Sequence, residues 1–241
     1  MLFTSNLVEN FLIKNGLFRT KITLGIPIET IILGFLIALI LVKVHFLWKY
    51  FSRFIISIIH EAGHGLFALL LTRKAPRINL HHDTTGQTWS YCGNGFKRLL
   101  ITMAGYPFPS TLAILGGYLM GMRLYKDWFV FLLILLIVEL VFLIRNFFGI
   151  LLVSFVLLIG YFVWKTTNLA TIQLQLIGVV IVLLLGVGGF ETAREVVINN
   201  EANSDLEVVS SFLHVSNSLA GKALLFVVLV ENFLTLYLLY K

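Results

Sequence analysis

Apolar residues run along this chain in stretches of about twenty, long enough to cross a bilayer as helices. They do not alternate with polar residues, as the strands of a membrane barrel would. Lipid gives the backbone no hydrogen-bond partners, so such runs must satisfy their own N–H and C=O groups internally. The pattern predicts membrane helices at 25–46, 51–71, 98–121, 128–144, 147–164, 169–190 and 219–240, marked at their ends by groups such as Trp48-Lys49-Tyr50 and Lys126-Asp127-Trp128. The expected fold is an all-α polytopic membrane bundle of about six or seven spans.

Three polar segments interrupt it. Residues 1–24 mix apolar and polar positions and carry Lys14, Arg19 and Lys21, which reads as an interfacial amphipathic segment rather than a signal peptide. Residues 25–241 are then one polytopic domain. Within 72–97, Arg77-Ile78-Asn79-Leu80 and Gln87-Thr88-Trp89-Ser90-Tyr91 flank Thr84-Thr85-Gly86, predicting a short β-hairpin near the membrane surface between spans two and three. Within 191–218, Asn203-Ser204-Asp205 is a helix start followed by mostly apolar residues, predicting a re-entrant or interfacial segment.

Composition agrees with this reading. Hydrophobic residues make up 59% of the 241, charged residues 12%, and mean hydropathy is +0.94. The net charge of +6 is spread as a few bases at each helix end. That is topology signalling and excludes a nucleic-acid footprint; the partner of this surface is the lipid bilayer. The single cysteine, Cys92, excludes an internal disulfide and a cysteine-built zinc site.

Against this background His60-Glu61-Ala62-Gly63-His64 stands out, because ionisable groups inside an apolar run are costly unless they have a task. Histidines four apart share a helix face, so both imidazoles can point at one cation while Glu61 sits beside it as a base. With His and Glu this scarce, a chance H-E-x-x-H arises in roughly one such chain in two hundred. The plain competitor is a hydrogen-bonded polar cluster that packs helices together. Zinc is the natural occupant: hydrolysis would require it to acidify a bound water, Glu61 to take the proton, and an open position for substrate.

Two histidines are too few, and the aspartates are Asp83, Asp127 and Asp205. An even number of spans separates the end of the histidine helix from Asp205, which puts both on one face of the membrane; Asp127 falls on the other. Asp205 is therefore the expected third ligand, with Asp83, His81 and His82 of the hairpin as alternatives.

These residues resemble a known family. His60-Glu61-Ala62-Gly63-His64-Gly65, Leu80, Gly86-Gln87-Thr88, and Ala104-Gly105-Tyr106 with Pro109 look like the front half of the compact bacterial branch of the site-2 protease family of intramembrane zinc metalloproteases. Arg145-Asn146-Phe147-Phe148-Gly149 and Asn203-Ser204-Asp205 look like its second half. The resemblance implies a multi-pass protein of a bacterial cytoplasmic membrane that cuts membrane-anchored protein substrates, with His60 and His64 as zinc ligands and Glu61 as base. Better-studied members carry a later Asn-Pro-Asp-Gly or Leu-Asp-Gly motif for the third ligand, and neither is present. Asn146 is the candidate for the corresponding asparagine, with no aspartate close behind it.

Other residues carry weaker expectations. Gly63, Gly65, Gly105, Gly116 and Gly117 let helices approach closely, and Pro107 and Pro109 should kink the third span. Glu139 needs a partner inside the fourth span, for which Arg145 or Asn146 is nearest. Glu191, Glu195, Glu201 and Glu207 read as a solvated face. The edge at 87–91 could align an extended polypeptide, or Trp89 and Tyr91 could simply anchor the loop to lipid. The competing functions are a catalytically inactive pseudoprotease or metal-binding scaffold and, less favoured, a metal transporter, since no other span carries the paired acids or histidines of a conduction path.

Overall fold

The long apolar runs are helices. A computed structural model describes residues 25–93, 95–166, 171–199 and 204–241; the predicted amphipathic segment 1–24 lies outside them. In chain order come α1 (Ile28–Lys43), a short helical turn His45–Leu47 and a π-helical turn Trp48–Ser52, α2 (Arg53–Thr72), β1 (Arg77–Leu80), β2 (Gly86–Trp89), α3 (Phe96–Ala104) and α4 (Phe108–Gly121). Then follow α5 (Tyr125–Val138) with a π-helical turn Glu139–Leu143, α6 (Phe147–Thr166), α7 (Thr171–Asn199), α8 (Ser204–Leu213) and α9 (Asn217–Tyr240).

Among the described residues four stretches are long and apolar enough to cross a membrane: His45–Thr72, Phe147–Lys165, Gln173–Ile198 and Asn217–Tyr240. A fifth results if α3 and α4, which meet at 60°, form one broken span. The six or seven spans predicted from apolar length are not all present on this criterion: α1 has 16 residues, and the run of α5 with its π-helical turn carries Lys126, Asp127 and Glu139. The α3–α4 bend falls at Pro107, whose ring nitrogen donates nothing to the preceding turn.

A central group of α4, α7 and α9 is drawn together by small residues. A Cβ on Gly116 would lie 2.6 Å from Val182 and 2.7 Å from Trp128, and one on Gly117 would lie 3.0 Å from the Thr235 carbonyl. Apolar side chains gain little from association when lipid is the alternative, so close backbone approach is what holds such helices together.

The segment past the sixth predicted span is not a loop. α7 continues through Glu191 and Glu195 to Asn199, and these acids form ion pairs instead of the expected solvated face: Glu191 with Lys43 of α1 and with Arg194 of its own helix, Glu195 with Arg53 of α2 at 3.2 Å. Glu207 is exposed as expected, and Glu201 lies outside the described residues.

The hairpin is built into the bundle. Arg77 pairs with Trp89, Ile78 with Thr88, Asn79 with Gln87 and Leu80 with Gly86. Ile78 and Leu80 are buried with Ile58, Leu143, Ile144 and Val153. Beyond β1 the chain at 144–146 acts as a third strand: Ile144 bridges Ile78, the Arg145 N–H donates to the Ile78 carbonyl at 3.0 Å, and the Asn146 side chain takes both polar groups of Leu80. Asn146 accepts from Leu80 N–H at 3.0 Å and donates to its carbonyl at 2.6 Å. Arg145 donates to the carbonyls of Val141, Phe142 and Ile144. Both expected partners of Glu139 are therefore engaged elsewhere, and its buried Oε1 has no hydrogen-bond partner among the described residues.

Asn146→Ala removes both bonds to Leu80 and leaves two buried backbone groups open, so the folded protein should lose about 1–3 kcal/mol of stability. Thermal unfolding in detergent micelles measures it, with Asn146→Asp, which keeps the acceptor alone, expected to fall in between.

Candidate metal centre

Two adjacent faces of α2 carry different tasks. His60 and His64 are one helical turn apart on one face; Ser57, Glu61 and Gly65, spaced by four, define the next. The first face meets α3 and α8, and the second lies along the hairpin. Ser57 Oγ donates to the Thr84 carbonyl at 2.6 Å, Thr88 Oγ1 donates to Glu61 Oε2 at 2.6 Å, and a Cβ on Gly65 would sit 3.0 Å from Ile78.

On the first face, His64 Nδ1 lies 2.7 Å from the Ile101 carbonyl. A carbonyl only accepts, so Nδ1 carries a proton, and in the neutral, metal-binding form of the ring Nε2 is left as a lone pair. That lone pair faces His60 Nε2 at 3.1 Å and Asp205 Oδ2 at 3.1 Å, and His60 Nε2 is 3.5 Å from the same oxygen. Three such atoms converging in this way call for a cation, or for protons, between them. Four ligands at the usual zinc distances of about 2.0–2.1 Å stand about 3.3–3.4 Å apart at the corners of a tetrahedron, so the triangle of 3.1, 3.1 and 3.5 Å is one face of such a site. Burial alone would raise the Asp205 carboxyl, but without an ion the charge and hydrogen bonds of protonated His64 and His60 hold it well below the usual carboxylate range. Two imidazoles and a carboxylate are the donor set of a catalytic zinc site with a position left open.

The cradle around the cluster is tight. A Cβ on Gly105 would fall on His64 Nε2 and lie 2.7 Å from His60 Cε1. The next residue, Tyr106, sets its ring edge against His60, centroids 4.6 Å apart. The carrier of Asp205, α8, is held by Leu206 and Val209 in a buried group with Leu99, Tyr106, Ala193, Ala220, Leu224 and Val228.

A cavity of about 310 Å³ borders the cluster, lined by His64, Thr88, Trp89, Ser90, Cys92, Arg98, Ile101, Thr102 and Val208. Arg98 and Val208 also line a larger opening of about 510 Å³ between α3 and α8. The two cavities thus meet at Arg98 and Val208, and the smaller one reaches His64.

A family model described as Peptidase M50B-like matches residues 32–237. The chain belongs to the Peptidase M50B-like family. This is a site-2 protease family domain, and with the apolar helices it makes the chain an integral membrane protein of metalloprotease ancestry. Neither a curated protein nor a solved structure matches the chain.

For an M50B-like chain without the Asn-Pro-Asp-Gly or Leu-Asp-Gly motif, the source of the third ligand is the open question, and geometry narrows it. Among the described residues the group able to hold a metal is His60, His64 and Asp205. The alternatives stay at the hairpin turn: His81, His82 and Asp83 are exposed, and Asp83 accepts from Thr85 N–H at 3.0 Å and Thr85 Oγ1 at 2.6 Å. Those bonds hold the Asp83 carboxyl below its ordinary range. Sequence reasoning missed the Ile101 carbonyl and the contact of Thr88 with Glu61. The first is a backbone atom with no signal in the sequence; the second had a faint one, since Gly86 and Thr88 alternate onto one strand face.

Gly105→Ala should displace the rings and lower zinc affinity at least about ten-fold, as loss of ligand-orienting contacts does elsewhere. Zinc titration of the purified protein measures it. Gly93→Ala is the control: a Cβ there meets nothing within 4 Å, and affinity should not change.

Proposed function

We propose that this Peptidase M50B-like protein is an active zinc metalloprotease that hydrolyses peptide bonds of membrane-anchored protein substrates. The convergence of His60 Nε2, His64 Nε2 and Asp205 Oδ2, with Glu61 on the adjacent face of the same helical turn, carries the reading. His60, His64 and Asp205 would hold the ion. When bound, zinc supplies a Lewis acid and brings the pKa of a water near 7.

The protein groups do the rest. Glu61 accepts the proton of the attacking water on its carboxylate and returns it to the leaving amine nitrogen, as a general base and then acid. The Ile101 carbonyl holds the proton on His64 Nδ1 and keeps Nε2 aimed inward throughout. Tyr106 limits rotation of the His60 ring.

A polypeptide reaches these groups as an extended strand. The edge of β1 is closed by 144–146, so the available edge belongs to β2. The His81 N–H donates to the Thr85 carbonyl at 2.8 Å, and antiparallel alternation then pairs Asn79 with Gln87 and Arg77 with Trp89 across the hairpin. The backbone groups of Gly86 and Thr88 consequently point away from β1, on the side of β2 that an added strand would occupy. β-Augmentation on this edge would give backbone bonds independent of the substrate's side chains. Thr88, Trp89 and Ser90 line the cavity that contains His64, which ties this edge to the site.

In a detergent-solubilised or proteoliposome cleavage assay, Glu61→Gln should retain zinc and lose at least about 100-fold in kcat, the contribution of a positioned base. His60→Ala and His64→Ala should lose zinc and activity together. Cleavage by Glu61→Gln at the wild-type rate would leave a metal-binding scaffold as the better description.

A further inference from the structure

We propose that Thr88, on the hairpin, is a positioning residue for Glu61: its hydroxyl holds one carboxylate oxygen, fixes the plane of the carboxylate and leaves the other oxygen to take a proton. The inference rests on Glu61 acting as the base and adds the group that orients it.

Thr88 Oγ1 donates to Glu61 Oε2 at 2.6 Å, and Glu61 is buried. A hydrogen bond to a charged acceptor at this length is among the stronger ones. The opposite side of the carboxylate rests on Gly86, where an added Cβ would come within 2.8 Å of both Cδ and Oε1. Two residues of β2 that share one strand face thus hold the same carboxylate, one by its hydroxyl and one by having no side chain. Oε2 is engaged, and Oε1 makes no hydrogen bond among the described residues, so Oε1 is the oxygen available to take a proton.

Thr88 is not needed merely to fasten the hairpin to α2. Ser57 already bonds the Thr84 carbonyl at 2.6 Å, and Ile78 and Leu80 are buried in the bundle with Ile58 and Leu143. The bond adds direction to a side chain with three rotatable torsions, which matters for a group that must face a reacting atom within hydrogen-bond reach. The same residue carries the outward backbone groups that a substrate strand would pair with. Strand binding on β2 and the aim of the base are therefore mechanically linked through Thr88.

The test compares Thr88→Val, Thr88→Ser, Ser57→Ala and Glu61→Gln, each assayed for bound zinc, kcat and KM on one membrane-anchored substrate in liposomes. Thr88→Val keeps shape and removes the donor; Thr88→Ser keeps the donor. Thr88→Val should retain zinc and lose about 10-fold to 100-fold in kcat, with KM within about two-fold of wild type. Thr88→Ser should recover most of the loss, and Ser57→Ala should leave kcat near wild type. Equal kcat in Thr88→Val and wild type overturns the proposal, as does a Thr88→Ser variant no better than Thr88→Val. A loss confined to KM, or a loss of zinc in Thr88→Val, assigns Thr88 to strand binding or to folding and overturns it equally. Failure of the base assignment is separate: it is read from wild-type turnover in Glu61→Gln alone.

Discussion

The structure turns on one imidazole held from behind. His64 donates its Nδ1–H to the Ile101 carbonyl, so the neutral ring is left with its lone pair at Nε2, in a setting where an unsatisfied acceptor is expensive. Asp205 and His60 bring further acceptors to the same spot. Acceptors facing each other repel, and three of them in a partly dry site are stable when a cation or protons sit between. The demand for positive charge is a property of the fold, fixed before any ion arrives.

Much of the bundle can be understood as what keeps that arrangement in place. Ile101 is available because α3 is a short helix set at 60° to α4, with Gly105 at the corner thin enough for the histidine rings to lie against the backbone. Asp205 arrives on α8, a helix too short to span, fastened by Leu206 and Val209 to a buried group drawn from α3, α7 and α9. The hairpin covers the other face of α2 and is completed by the chain at 144–146, with the Asn146 amide imitating a strand's backbone. One side of the helix thereby serves the cluster and the next side serves the carboxylate beside it.

The sequence shows the local part of this clearly. His60, Glu61 and His64 are readable because helical period alone sets which of them share a face; the choice of Asp205 rests on the scarcity of aspartate and on a span parity that changes with the number of spans. The Gly-bounded hairpin is readable from its turn. What depends on tertiary approach is not. Apolar length does not show that α1 stops at Lys43 or that α5 gives way to a π-helical turn at Glu139. Glu191 and Glu195 look like a solvated face until Lys43 and Arg53 are brought beside them by folding. Glu139 looks paired with Arg145 by proximity, yet Arg145 turns back onto the carbonyls that end its own helix. The contact of Thr88 with Glu61 needs both the hairpin register and its docking on α2, and neither is encoded in spacing.

Zinc K-edge X-ray absorption on the purified protein and on Asp205→Ala tests the central claim most directly. The account predicts about one zinc per chain, with two imidazole shells and oxygen scatterers in the native protein, and loss of an oxygen ligand with weaker binding in the variant. A native spectrum without paired imidazoles, or one that Asp205→Ala leaves unchanged in shape and affinity, would contradict it.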